Sequence, residues 1–104
     1  MKHFVLIFRS TRAFTPEELE RRPLEIAAWV EQVSQMGITL DPRNFGETIS
    51  PKESIDPALA TIVFFDCADR DRAMDIARMH PAPQYGVTVE VREWTPPRGG
   101  TVLR

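Results

Sequence analysis

The sequence predicts an α+β domain in which strand, helix, strand, strand, helix and strand follow one another, so that four antiparallel strands carry both helices on one face. Three observations carry that prediction. Two amphipathic stretches each open with a helix-start signal, at Thr15 and Asp69. Four β-branched or alternating stretches flank them, and Gly or Pro marks the joins. With 104 residues, 42% of them hydrophobic, the chain fills one core and leaves no room for a second domain. Residues 1–95 are accordingly assigned to the domain, and residues 96–104 to a flexible C-terminal tail.

The first strand covers Lys2 to Arg9, where Phe4, Leu6 and Phe8 share one face and His3, Val5, Ile7 and Arg9 the other. A loop through Phe14 leads to Thr15-Pro16-Glu17-Glu18. This is a hydroxyl N-cap, a proline in the first turn and an acid placed to complete a capping box. Pro23 lacks a backbone N–H and crowds the carbonyl of Leu19, which predicts a kink or split in this helix. Ile26, Val30 and Val33 then mark its buried stripe, with Trp29 and Met36 widening it, and Gly37 ends it. Residues 38–50 mix strand formers with Pro42, Asn44 and Gly46, the pattern of a broken edge strand. Ala60 to Phe65 is a central strand by its β-branched and aromatic content. Asp69 caps the second helix, whose buried stripe is Ala73, Ile76, Ala77 and the position of His80. His80 suits the negative end of that helix as a cation. The last strand is expected from Tyr85 to Trp94, with Val87, Val89 and Val91 alternating against Thr88, Glu90 and Arg92.

This is the ferredoxin-like βαββαβ arrangement, and it leaves one sheet face bare. That face carries Val5, Ile7 and residues of the Ile62 strand, too much apolar surface for a lone protomer. A second copy is expected to cover it, pairing two sheets as a dimeric α+β barrel. With 13 basic against 15 acidic residues and a net charge of -2, nothing argues for nucleic acid or an anionic membrane as partner. The apolar run Phe4 to Phe8 falls far short of the roughly 20 residues that span a bilayer, so it is a buried strand and the protein is expected to be cytoplasmic. The single cysteine, Cys67, excludes an internal disulfide, and the two histidines lack metal-ligand spacing. No phosphate loop or nucleophile elbow is present, so no cofactor is expected.

Three segments resemble the YCII-related family of small dimeric α+β barrel proteins, over roughly Lys2 to Trp94. Arg22-Pro23-Leu24-Glu25 is similar to an Arg-Pro-x-His signature at the start of the first long helix. Gly37-Ile38-Thr39-Leu40 matches the step into the second strand, and Gly86 to Arg92 resembles the terminal Gly-x-x-x-Glu-Val-Arg segment. The resemblance implies the barrel fold and the dimer. It does not carry over the family's suspected acid/base dyad, because Glu25 stands where the histidine would, and Ser10, Thr11 and Arg12 supply no acid after the first strand. The Asp-Gly-Pro-Phe motif of a neighbouring subfamily is absent as well.

Candidate site residues fall into two groups. His3, Arg9, Glu90, Arg92 and Trp94 are expected to point into the space between two facing sheets, where Arg92 can grip an anion, Trp94 can stack on a ring, and His3 is either a catalytic acid/base group or ligand or a partly exposed strand residue. Glu90 and Arg92 serve equally well as salt bridges that set strand register or subunit pairing. Glu25, paired with Arg22 or Arg9 at one mouth of the barrel, is the other candidate, either as a base raised in pKa by burial or as a plain surface ion pair, and Arg22 is counted with Arg9 among the ligand-binding candidates. Two functions follow: binding of a small anionic or aromatic molecule between the sheets, or a structural dimer without ligand or catalysis. Whether any reaction occurs is open at this point.

Overall fold

The computed structural model of the chain describes residues 1–49 and 58–97. In order it contains β1 (Lys2–Ser10), α1 (Pro16–Gln35), β2 (Asp41–Asn44), β3 (Leu59–Cys67), α2 (Arg70–Arg78), a short 3-10 helix (Ala82–Tyr85) and β4 (Val87–Trp94). The strands form one sheet in the order β2-β3-β1-β4, with every neighbouring pair antiparallel. This is the expected ferredoxin-like α+β layout. The tail beyond Pro97 lies outside the described residues, as does the polar stretch 50–57.

The register sorts the side chains. Phe4, Leu6 and Phe8 of β1 stand opposite Phe65, Val63 and Thr61 of β3 and face the helices, where they join Trp29, Val33, Ile76 and Ala73 in the core. The opposite face is a lattice of rows across β3, β1 and β4: Asp66-His3-Trp94, Phe64-Val5-Arg92, Ile62-Ile7-Glu90 and Leu59-Arg9-Thr88. No helix covers it.

Local signals explain most element boundaries. Thr15 accepts the Glu18 N–H at 3.2 Å while the Glu18 carboxylate accepts the Thr15 N–H at 2.9 Å, the reciprocal capping box, worth about 1 kcal/mol. Asp69 caps α2 by accepting from Arg72 N–H. Met36 is the C-cap of α1, and Gly37 takes the positive φ just beyond it.

Several expectations change. α1 is neither split nor restarted at Pro23 but runs through it for 20 residues. Pro23 and Leu19 lie on the exposed side of the helix, where water can satisfy the carbonyl that proline leaves without a partner. The inward stripe is Arg22, Ile26, Trp29 and Val33, rotated from the expected one so that Val30 is left 42% exposed. Trp29 takes the central place because its indole N–H donates to the Ile76 carbonyl at 2.9 Å. The final strand begins at Val87, not Tyr85. Tyr85 belongs to the 3-10 helix and is wholly buried, and Gly86 turns the chain with a φ of 69°. A side chain at Gly86 would also strike Arg12, 2.8 Å from where its Cβ would stand, so this position needs glycine twice over.

Candidate functional site

The rotated stripe of α1 borders a hollow. Between α1 and the β1–β3 half of the sheet lies a cavity of about 510 Å³, within the range that holds small ligands. Its walls are mostly apolar: Ile26, Trp29 and Val30 from α1, Phe8 and Val63 from the sheet. Ser10, Asn44 and Thr61 give it a hydroxyl and amide rim, with the Thr61 hydroxyl donating to Asn44 Oδ1 at 3.0 Å. Two groups with stronger chemistry also reach it, Arg22 and His80.

His80 follows α2 and is buried, its ring 4.6 Å from both Phe8 and Trp29 by centroid distance. Its Nδ1 accepts the Ala82 N–H at 2.9 Å. The neutral ring therefore carries its proton on Nε2. Burial, and then the positive charge of Arg22, bring its pKa down to about 4, so it is uncharged at neutral pH. The helix-dipole role expected of a cation at this position does not apply. The sequence pattern places His80 on the buried stripe of α2 but not beside a cavity, because the Phe8 and Trp29 rings packed against it come from distant parts of the chain.

Arg22 sits one helical turn before Ile26, its guanidinium 4.1 Å from the Phe14 ring centroid and 5.8 Å from that of Tyr85. Among the described residues no carboxylate pairs with it. The pairing of Glu25 with Arg22 or Arg9 is replaced by another: Glu25 accepts from the Tyr85 hydroxyl and lies 3.9 Å from Arg21, its i−4 neighbour, whose Nε donates to the same hydroxyl at 3.0 Å. Helix spacing accounts for the exchange, since Arg21 stands on the side of α1 that meets Tyr85.

The first group of candidates gathers on the open sheet face as expected. Arg9 Nη1 and Arg92 Nε both donate to Glu90, each at 2.6 Å, and these bonds, the Arg9 one first, hold the Glu90 pKa below the usual carboxylate range. His3 stacks on Trp94 at 4.7 Å and donates from Nδ1 to Asp66 at 2.7 Å; Phe64 meets the indole edge-on. Arg22 and Glu25 do not belong to this face. Cys67 is buried, and desolvation pushes its thiol pKa up.

No protein-family model and no curated protein matches this sequence. Among solved structures, the crystal structure of At3g17210 from Arabidopsis thaliana is similar, with a TM-score of 0.56 at 15% identity over 97% of this chain and 100% of that one. At that identity the similarity establishes the fold alone. No helix among the described residues is long and apolar enough to cross a membrane, and none of their His, Cys, Asp and Glu side chains cluster to hold a metal.

Proposed function

We propose that this protein binds a small molecule in the cavity beneath α1 and works as a homodimer that pairs through its open sheet faces. The observation that carries the first half is the cavity itself: a hollow of about 510 Å³, apolar on most walls, with a few polar groups at fixed places. A largely preformed site of this kind is the default ligand site of a small domain. The dimer is supported by the open face, where Ile7, Ile62 and Phe64 lie half-buried in a protomer and charges of both signs flank them. A surface with both signs can meet its own copy around a two-fold axis. The resemblance to the YCII-related family agrees with such a barrel. In this reading Arg9, Glu90, Arg92, His3 and Trp94 serve subunit pairing and register, because they already engage one another.

A thermal-shift screen of small metabolites against the protein and an Ala60→Phe variant tests the ligand site. Ala60 lines the cavity and is half-buried, so the larger ring fills the hollow. Compounds that bind the native state are expected to raise the melting temperature of the protein and not of the variant. Equal shifts in both would place ligand binding elsewhere and overturn the reading.

A further inference from the structure

Arg22 and His80 line the same cavity, and among the described residues no acceptor engages the Arg22 guanidinium or the His80 Nε2–H. Arg22 lines the hollow, and its guanidinium lies over the Phe14 ring and meets no carboxylate among the described residues. Holding a half-buried cation beside apolar walls is unfavourable until a negative group compensates it. His80 supplies the second donor. Its Nδ1 is taken by the Ala82 N–H, so Nε2 bears the hydrogen. No buried side-chain polar atom among the described residues lacks a partner, so Nε2, which bonds to no protein atom described, reaches accessible space. Besides the cavity, His80 lines a groove beside Glu25 and Gln84.

Resting on the reading of the cavity as a ligand site, we infer that its ligand is a small carboxylic acid with an apolar, ring-sized body, its carboxylate held by Arg22 and by the Nε2–H of a neutral His80. A guanidinium offers a carboxylate paired N–H donors in matching geometry. The imidazole adds a donor fixed in direction, because the backbone bond to Nδ1 prevents the ring from exchanging tautomers. Its low pKa means that this donor carries no charge at neutral pH, so Arg22 alone sets the charge preference. Trp29, Ile26 and Phe8 provide the apolar walls for the rest of the molecule. An amine would face the uncompensated cation, and a neutral amide would lose the charge-assisted bond.

The test is an NMR titration of the whole chain with phenylacetate, phenylacetamide and phenethylamine, followed at the Trp29 indole N–H and the His80 ring nitrogens. The acid is expected to bind at least tenfold more tightly than the amide and the amine more weakly still, with shifts centred on Trp29 and His80. Arg22→Gln should bring the acid down to the affinity of the amide and leave the amide unchanged, while His80→Phe should weaken both oxygen-bearing ligands. His80→Gln, which keeps an N–H donor, is expected to retain part of that affinity if the Phe variant folds poorly. The ring-nitrogen spectrum of the free protein should show a protonated Nε2 and a bare Nδ1. Equal affinities for acid and amide in the cavity would overturn the carboxylate assignment and leave the ligand site standing. A failure of all three to move the Trp29 signal at about 10 mM would remove the ligand site with it.

Discussion

The two sides of one sheet treat charge in opposite ways. On the open face Arg9 and Arg92 converge on Glu90, and His3 hydrogen-bonds to Asp66, so the polar groups there engage one another within the protomer. On the helix side Arg22 lines a cavity to which the described residues bring no carboxylate, and the histidine beside it is kept neutral. A face whose charges are internally satisfied is suited to specificity in pairing, since its polar groups can be covered with little left unpaired. A hollow with spare donors holds unmet bonding capacity that a ligand can use. The difference shows that the number of polar residues in a region says little about binding; what matters is which of them already have partners.

The largest expected effect breaks the open face. Ile62 is half-buried in the protomer and stands beside Ile7, so Ile62→Glu adds a charge to the apolar part of the lattice with little cost to the isolated fold. In a face-to-face dimer it would bury that charge, and the symmetric copy would bury another close by. Light scattering should show a dimer for the protein at micromolar concentration and a monomer for the variant. The dimer should be weakened by at least about 3 kcal/mol, more than a hundredfold in dissociation constant. A variant that stays dimeric would move the interface to another surface and erase the contrast between the two sides.

A smaller effect sharpens the other half of the comparison. An unfolded histidine titrates near 6.5, whereas burial first, and the charge of Arg22 second, bring His80 down to about 4. Between those values the unfolded chain binds a proton that the folded protein refuses. Stability fully present above pH ~6.5 is therefore lost as pH falls towards 4, by up to about 3 kcal/mol. Below about 4.5 a second loss begins at Glu18, which the hydrogen bond from Arg12 holds at about 2. Urea unfolding at pH 7, 5.5 and 4.5 checks this. His80→Phe should flatten the slope between 7 and 4.5, and an unchanged slope would assign it to other groups.

What the sequence made legible was what short segments decide. The Thr15-Glu18 box, the Asp69 cap and the positive φ at Gly37 each rest on a few neighbouring residues, and each stands where the pattern put it. The alternation in β1 likewise assigned Phe4, Leu6 and Phe8 to the core and His3, Val5 and Arg9 to the open face. The cavity was not legible, because it depends on the angle at which α1 meets the sheet. Arg22 lies within the inward stripe, and a charged residue in such a place carries no periodic signal. His80 was placed on the buried stripe of α2 yet read as a helix-end cation, since the two rings that desolvate it come from β1 and the middle of α1. Tyr85 was placed in a strand by its β propensity, whereas Pro81 and Pro83 favour the 3-10 turn that buries it.

The smallest effect separates Glu25 from the cavity it stands beside. Its carboxylate accepts from the Tyr85 hydroxyl and lies 3.9 Å from Arg21, a side chain that is more than half exposed. An amide at this position keeps an oxygen for the tyrosine and loses only a solvent-screened attraction. Glu25→Gln is therefore expected to change stability by less than about 0.5 kcal/mol and to leave dimer formation intact. It should also leave phenylacetate binding unaltered, because Glu25 is not among the residues that line the cavity, whereas Arg22, three residues earlier, is. The pair Glu25→Gln and Arg22→Gln thus compares two neutralised charges less than one helical turn apart. If the Glu25 variant lost ligand binding while keeping its melting temperature, the working group would lie in the Tyr85-Arg21-Glu25 cluster, and the division between a spare-donor cavity and satisfied surroundings would have to be redrawn around that carboxylate.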